Sequence, residues 1–184
     1  MTGWTRITAK ALYTLYKSFS LSEAIMTMSK RLAQYLDAKH IPYQTIEHYH
    51  SNSSIGTAIN AQVPPQQLAK AVMLKDHEDR KVMAILPAKN KISLSALNDE
   101  LMGSYQLLKE QEVYKLFKDC EHGAIPPVAE AFNMSYVCDE LLDGQERIYI
   151  EAGDHKTLLA IERAHFAEIM ANGRHMRFSR EVFH

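Results

Sequence analysis

Apolar positions recur along the chain with two different periods, one typical of helices and one typical of strands. After Ser29, apolar residues follow helical spacing to about Lys39, and serine is a favoured cap for the first turn. Comparable signals predict a short helix from Ser53 or Ser54, a helix from Ser93, a helix over 110–117 and a last helix over 162–171.

Shorter alternating or continuous apolar runs predict strands over 43–47, 68–75, 82–86, 135–139 and 147–151. The polar segment 76–81 separates two of these runs and predicts a hairpin with both strands largely buried. Helices and strands mix without a strict strand–helix–strand alternation. The pattern therefore predicts an α+β fold, with a mixed, mostly antiparallel β-sheet surrounded by helices.

Composition divides the chain into three parts. Residues 1–26 contain no acidic residue before Glu23 and are predicted to be an N-terminal extension, with a targeting peptide or a start upstream of the native one as alternatives. Residues 27–172 are predicted to form the functional domain. The arginine-bearing segment 173–184 is predicted to be a basic, solvated tail.

Net charge and cysteine content limit the partners and the cellular compartment that we expect for the protein. The chain has 184 residues and a formal net charge of −1, so a long basic track for nucleic acid is excluded and only a small piece, such as an end, is expected to bind. Two cysteines without a C-x-x-C pair favour a reduced, cytoplasmic protein. No apolar stretch approaches the length of a membrane span, so no membrane partner is expected.

The run Gly123-Ala124-Ile125-Pro126-Pro127 is the strongest local signal. Two prolines remove two backbone donors and exclude a helix or a central strand, which predicts a stiff, exposed loop. The N–H groups of Gly123, Ala124 and Ile125 are then free to hold a carbonyl or phosphate oxygen. A purely structural turn is the alternative.

Lys70 is the second informative residue. It shares one strand face with Leu68, Val72 and Leu74 by the two-residue period. A lysine in phase with aliphatic residues either extends to solvent at an edge or points into a cleft. An inward lysine implies an anion nearby, supplied by the protein or by a ligand.

The histidines and cysteines give weaker indications. His48 and His50 form an H-x-H pattern, which is compatible with a metal only if further ligands converge. His155 lies on a turn after an apolar strand, where Asp154 either contributes to binding or organises the turn itself. Cys120 precedes the loop, but covalent catalysis by it is not favoured.

The order of these features resembles one family. Lys70 in an apolar strand is followed by the 123–127 loop and then by the Gly153-Asp154-His155 turn. This arrangement is similar to the YbaK/prolyl-tRNA synthetase-associated editing domain family over roughly residues 28–171. The G-x-x-x-P signature of that family is filled here by Gly123 and Pro127.

The resemblance implies a free-standing hydrolase, acting without a cofactor or metal, that deacylates mischarged aminoacyl-tRNA carrying a small amino acid. Its partners would be the acceptor end of that tRNA and also a synthetase or an elongation factor. The amides of Gly123 and Ala124 would hold the ester, Lys70 would position the tRNA 3′ end, and the substrate's ribose hydroxyl would help to activate water. The residues implied to line the pocket are His50, Ser53, Ile125, Pro126, Pro127, Asp154 and His155.

Two alternative functions stay open at this point. The same cleft could bind an amino acid or a nucleotide without turnover, as a regulatory module. The H-x-H pattern could instead belong to a metal-dependent hydrolase.

Overall fold

Helices and short strands are mixed along residues 28–181, the part of the chain that the computed structural model describes. The predicted extension over residues 1–26 lies outside the described residues. The helices are α1 (Lys30–Ala38), α2 (Ser54–Asn60), α3 (Leu94–Leu101), α4 (Glu110–Leu116) and α5 (Arg163–Ile169). In the described part, none of them is long and apolar enough to cross a membrane.

Ten strands accompany these helices in the described range. They are β1 (Gln44–Glu47), β2 (Ala69–Lys75), β3 (Lys81–Pro87), β4 (Asn90–Ile92), β5 (Gln106–Leu107), β6 (Ser135–Asp139), β7 (Arg147–Glu151), β8 (Thr157–Glu162), β9 (Arg174–Met176) and β10 (Ser179–Glu181). Short 3-10 turns occupy Ala129–Phe132 and Glu140–Leu142.

The strands form three sheets. The largest has the order β5-β2-β3-β6-β9, with antiparallel pairing from β5 to β3 and parallel pairing from β3 to β9. A second sheet, β1-β8-β7, and the pair β10-β4 are antiparallel throughout. The predicted α+β fold with mixed, mostly antiparallel sheets is confirmed.

Serine hydroxyls begin three of the helices, as the sequence predicted. Ser29 Oγ accepts a hydrogen bond from the amide of Leu32 at 3.3 Å, and Ser53 Oγ accepts one from Gly56 at 3.1 Å. Ser93 caps α3 in the same way. Each contact satisfies one of the amides that a first helical turn leaves without a partner.

One backbone contact joins the two larger sheets and positions the site. Leu68, just before β2, forms a parallel bridge with Tyr149 of β7, and the Tyr149 amide donates to the Gln67 carbonyl at 2.8 Å. From this bridge, β2 and β7 run in the same direction. Lys70 and Glu151 each follow two residues later, so the pleat directs both to the same side.

The main apolar core lies between α1, the 3-10 turn at 129–132 and the strands. Leu32 and Leu36 of α1 belong to the same buried cluster as Ile148 and Ile150 of β7, all at 1% exposure or less. Removing such a side chain from water contributes about 1.5–3 kcal/mol. The burial fixes α1 beside β7 and the turn that follows it.

The C-terminal segment corrects the prediction of a solvated tail. Residues 174–176 and 179–181 are strands, Met176 and Phe178 are 4% and 1% exposed, and the Phe178 carbonyl accepts from the Ser93 amide at 2.8 Å. The arginines face outward while the apolar residues between them pack against α3 and the central sheet. Strand β8 was also not predicted, and α5 begins only at Arg163.

Candidate functional site

A cleft that is partly open to solvent lies where β2 and β7 meet. We call it the β2–β7 cleft. Its walls come from the start of α2, from strands β2 and β7, from the 123–125 segment and from the turn after β7. Five of the predicted site residues line this cleft: Ser53, Lys70, Gly123, Ile125 and His155.

Lys70 enters the cleft as a cation without an acidic partner. Its side chain is partly buried, and its Nζ donates to the Ala88 carbonyl at 3.0 Å. Within residues 28–181, no carboxylate lies within ion-pair distance of this ammonium. Burial, together with repulsion from Lys91, lowers the pKa of Lys70. Of the two positions that the sequence left open for Lys70, the sheet edge and a cleft, the structure shows the cleft, and in the described range no protein carboxylate supplies the anion.

The 123–127 loop, in contrast to the prediction of an exposed loop, is buried or partly buried after its first residue. Ala124, Pro126 and Pro127 are buried, and only Gly123 is exposed. Two prolines have no N–H to leave unsatisfied, so burying this apolar segment costs little. Ile125 packs against the main core while also lining the cleft.

Only part of the loop's backbone is available to a ligand. The Ala124 amide donates to the Glu121 carbonyl at 3.0 Å, which removes Ala124 from the set of free donors that the sequence predicted. Among the described residues, the amides of Gly123 and Ile125 have no hydrogen-bond partner. Gly123 has φ +95°, a conformation that favours glycine.

His155 holds the start of this loop. Its Nε2 lies 2.8 Å from the His122 carbonyl oxygen, and since a carbonyl only accepts, the ring nitrogen must donate. The His155 ring also lies against Gly123, where an added Cβ would be 3.5 Å from Cε1. On the other side, His122 stacks on Tyr114 with ring centroids 3.7 Å apart.

Asp154 organises the turn instead of facing the cleft. Its Oδ1 accepts from the amides of Lys156 and Thr157 at 3.0 and 2.8 Å, and its Oδ2 accepts from the Thr157 hydroxyl at 2.8 Å. Both oxygens are thus occupied within the turn that carries His155. The geometry favours the structural alternative for Asp154 over substrate binding.

His50 lies at the edge of the site. Its side chain is 46% exposed, its Nε2 is 3.8 Å from Glu121 and its ring centroid is 5.1 Å from that of His155. Its H-x-H neighbour His48 does not line the described cleft, and its Nδ1 lies 2.8 Å from the Tyr49 carbonyl oxygen.

A group of three side chains with metal-ligating atoms does occur among the described residues, but away from this cleft. It consists of Cys138, Asp143 and His175, none of which lines the cleft. There, His175 Nδ1 lies 2.8 Å from Asp143 and Nε2 lies 2.9 Å from the Met170 carbonyl. Burial raises the pKa of the Cys138 thiol, which disfavours the thiolate that binds metals.

Cys120 is not suited to nucleophilic catalysis. Burial, and then the nearby Asp119 carboxylate, raises the pKa of its thiol to about 11. The thiol therefore stays protonated at neutral pH, and a protonated thiol is a poor nucleophile.

Glu151 is the one acidic residue that lines the described cleft, and the sequence did not indicate it. Its Oε1 accepts from the Thr57 hydroxyl at 3.2 Å, whereas its Oε2 is buried without a hydrogen-bond partner among the described residues. Burial raises the pKa of Glu151 to about 7, against the opposing effects of His155 and Thr57. A glutamate at the end of an alternating strand is normally solvated, and only the non-local Leu68–Tyr149 bridge brings this one into a cleft.

One family model matches most of the chain, including the residues that line the cleft from Asn52 onward. The family model of the aminoacyl-tRNA editing domain matches residues 52–169, a range that contains Lys70, the 123–127 loop, Glu151 and His155. The chain belongs to this family. The resemblance drawn from Lys70, the loop and the 153–155 turn is confirmed. No curated protein matches the chain significantly.

Solved structures share the fold of this editing domain at low sequence identity. One is a hypothetical protein, APE2540, with a TM-score of 0.72 and 16% identity over 82% of this chain and 99% of that chain. Another is described as a candidate trans-editing enzyme for prolyl tRNA synthetase, with a TM-score of 0.69 and 16% identity over 83% and 96% of the two chains.

A longer chain contains the same fold as one of its parts. It is described as a candidate signal transduction protein from Marinobacter aquaeolei VT8 and aligns with a TM-score of 0.67 and 18% identity. The match covers 82% of this chain but 30% of that chain.

Proposed function

We propose that this editing domain hydrolyses the ester bond of mischarged aminoacyl-tRNA that carries a small amino acid. The observation that supports this activity is the set of residues that line the β2–β7 cleft. A cation without an acidic partner, Lys70, lies in the same cleft as two unpaired loop amides, in a chain of the aminoacyl-tRNA editing domain family.

The loop amides supply the contact to the reacting group. The N–H groups of Gly123 and Ile125 belong to a segment fixed by buried prolines and by the hydrogen bond from His155. Donors held rigidly before the reaction stabilise the negative charge that develops on the ester carbonyl oxygen, an effect of about 3–4 kcal/mol per donor in other acyl-transfer enzymes.

Lys70 supplies the contact to the acceptor end of the tRNA. Its ammonium is partly desolvated and lacks a carboxylate partner in the described range, so an anionic ligand is the natural partner. The phosphate next to the terminal adenosine is such a group. The ribose hydroxyl beside the ester assists in activating the attacking water.

The size of the cleft sets the preference for a small amino acid. Ala71 and Ile125 contribute to its walls, and the two buried prolines that follow Ile125 have a fixed φ, which stiffens this wall. A rigid wall rejects larger side chains by steric overlap, whereas it discriminates less strongly against smaller ones. We expect action in the cytoplasm, together with a synthetase or an elongation factor that contributes tRNA affinity.

A deacylation panel tests this proposal. Alanyl-, seryl-, cysteinyl- and prolyl-tRNA are incubated with the wild-type protein, with Lys70→Ala and with the control Lys115→Ala, which removes an exposed lysine of α4. We expect hydrolysis of at least one of the small esters, a loss of about 100-fold or more in Lys70→Ala and no change in the control.

Each alternative function has its own outcome in the same panel. Full activity in Lys70→Ala would contradict the proposed mechanism. Binding of aminoacyl-tRNA without turnover of any ester would support a regulatory module, and loss of activity on adding a chelator would support a metal-dependent hydrolase.

A further inference from the structure

Glu151 presents a carboxylate oxygen that the protein itself does not satisfy. Oε1 receives the Thr57 hydroxyl at 3.2 Å, and Oε2 is buried with no donor among the described residues. A buried acceptor without a partner costs about 1–3 kcal/mol, and more when it is charged. Glu151 lines the β2–β7 cleft, and an unsatisfied acceptor on a residue that lines a cleft points to a donor that arrives with a ligand.

The charged neighbours of Glu151 do not provide that donor. Lys70 Nζ donates to the Ala88 carbonyl, and His155 Nε2 donates to the His122 carbonyl. Asp154 is an acid, and its oxygens are occupied within its own turn. The described part of the chain therefore leaves Oε2 to a cationic or neutral donor from outside.

The substrate class in question carries a suitable donor next to its reacting group. An aminoacyl ester has an α-ammonium group on the carbon bonded to the carbonyl carbon, and Glu151 lines the same cleft as the Gly123 and Ile125 amides proposed to hold that carbonyl. Hydrogen bonds between an ammonium and a carboxylate are short and about twice as strong as neutral ones.

We infer that Glu151 binds the α-ammonium group of the substrate, so that the cleft selects esters with a free α-amine over N-blocked esters. This inference rests on the proposed function. It names a further substrate-binding residue and a chemical requirement of the substrate that side-chain size alone does not impose.

As an anchor, meaning a residue that binds the ammonium group of the substrate, Glu151 does not act as a general base. The two roles predict different rates for esters with and without a free amine. An anchor acts only when the ammonium is present. A general base would activate water equally well for a free and for an N-acetylated ester. Comparing the two esters therefore isolates the contact.

The experiment measures kcat/KM for alanyl-tRNA and for N-acetylalanyl-tRNA with three proteins: wild type, Glu151→Gln and Glu47→Gln. Glu47 is an exposed residue of β1 and serves as a matched control. We expect the wild type and the control to prefer the free amine by about 10- to 100-fold, as loss of a hydrogen bond to a charged group predicts. In Glu151→Gln, that preference falls to about threefold or less, through loss of activity on alanyl-tRNA alone.

Equal losses on both esters would overturn the inference in favour of a general base, and an unchanged preference in Glu151→Gln would overturn it outright. A binding measurement tests the inference with the wild-type protein alone. An alanyl-amide analogue of the 3′-terminal adenosine should bind about 10-fold or more tightly than its N-acetyl form. Equal binding of the two analogues would refute the anchor.

Failure of the proposed function looks different from failure of the anchor. If the protein is a binding module, the wild type hydrolyses neither ester, yet the free-amine analogue still binds more tightly in a manner that depends on Glu151. If the editing activity is correct and the anchor is wrong, both esters are hydrolysed at rates that Glu151→Gln changes equally or not at all.

Discussion

His155 contacts the 123–127 loop through the peptide bond between His122 and Gly123. Its Nε2 donates to the His122 carbonyl, and the next atom beyond that carbonyl carbon is the Gly123 nitrogen. Because a trans peptide is planar, fixing the direction of the His122 C=O also fixes the direction of the Gly123 N–H. We therefore propose that His155 is a positioning residue, whose effect on an ester would be carried by the Gly123 amide one peptide away.

Two substitutions of His155 separate this role from simple packing. His155→Phe keeps an aromatic ring but removes the donor, so we expect kcat to fall by about 100-fold with little change in KM, as for loss of one carbonyl-stabilising contact. His155→Gln restores a side-chain N–H donor and should recover a substantial part of kcat. Steady-state kinetics on a hydrolysed aminoacyl-tRNA check both. Equal losses in the two variants would indicate a packing role only.

Glu151 also links the folded state to pH. Burial raises the pKa of its carboxyl from 4.5 to about 7, so the folded protein retains a proton that the unfolded chain releases near pH 4.5. The stability that this proton provides is fully present below pH 4.5 and is lost as pH rises towards 7 and above. A shift of this size corresponds to about 3 kcal/mol.

Glu151→Gln should remove this pH dependence. Urea unfolding of the wild type and of the variant is measured at several values between pH 4.5 and 8. We expect the free energy of unfolding of the wild type to fall by up to about 3 kcal/mol relative to the variant across this range. Since the two proteins differ only at position 151, taking the difference removes contributions that the rest of the chain makes to both profiles. Parallel pH profiles of the two proteins would contradict the assignment of the raised pKa to the buried Glu151 carboxyl.

At the scale of elements, the turn after β7 holds α1 and the segment before the 123–127 loop together. The Ser29 amide donates to the Ala152 carbonyl at 2.9 Å, and the Glu121 amide donates to the Gly153 carbonyl at 2.8 Å. Gly153 has φ +120°, and a Cβ added to it would lie 3.2 Å from Ser29 N and 3.3 Å from Ser29 Cβ. The close approach of three segments needs a glycine here.

Gly153→Ala should consequently destabilise the protein and loosen the loop. Backbone strain and overpacking together predict a loss of about 2–4 kcal/mol in the free energy of unfolding. Gly144→Ala is the control, because an added Cβ there meets nothing within 4 Å, and it should change stability by less than about 0.5 kcal/mol. Denaturant unfolding of both variants checks this, and similar stability for the two would refute the tight junction.

Local signals predicted the elements that have local causes. Strands β6 and β7 were predicted with their observed bounds, and the serine caps marked the starts of α1, α2 and α3. Strand β8 was missed because the run Leu158-Leu159-Ala160-Ile161 fits a buried strand and a buried helix equally well. Strands β9 and β10 were missed because three residues each, with exposed arginines, resemble a solvated end.

The site residues likewise fall into those that the local sequence indicates and those that depend on non-local contacts. Lys70 and Gly123 were recognisable because their chemistry conflicts with their local pattern: a lysine in an apolar strand, and a glycine before two prolines. Glu151 was not recognisable, because its burial depends on the contact between β2 and β7. The use of the Ala124 amide by Glu121 likewise depends on how the turn closes in space.

At the scale of the whole molecule, the charge distribution determines how the protein meets a tRNA. The formal net charge is −1, and Lys70 is the only lysine or arginine among the residues that line the described cleft. Affinity for nucleic acid that comes from phosphate contacts falls with salt in proportion to the number of phosphates neutralised. A cleft with a single such cation should therefore bind only the end of the acceptor strand.

The salt dependence of deacylation tests this view of the molecule. For a single-stranded end contacted at one or two phosphates, the slope of log kcat/KM against log salt concentration should be about −1. Lys70→Ala, measured on its residual activity or by binding of a nonhydrolysable acceptor-end analogue, should reduce the slope by about 0.7, whereas Lys115→Ala should leave it unchanged. A slope of about −4 or steeper would mean that another face of the protein binds the tRNA body. A shallow slope leaves recognition of the tRNA body to a partner, which is the reason for expecting a synthetase or an elongation factor beside this domain.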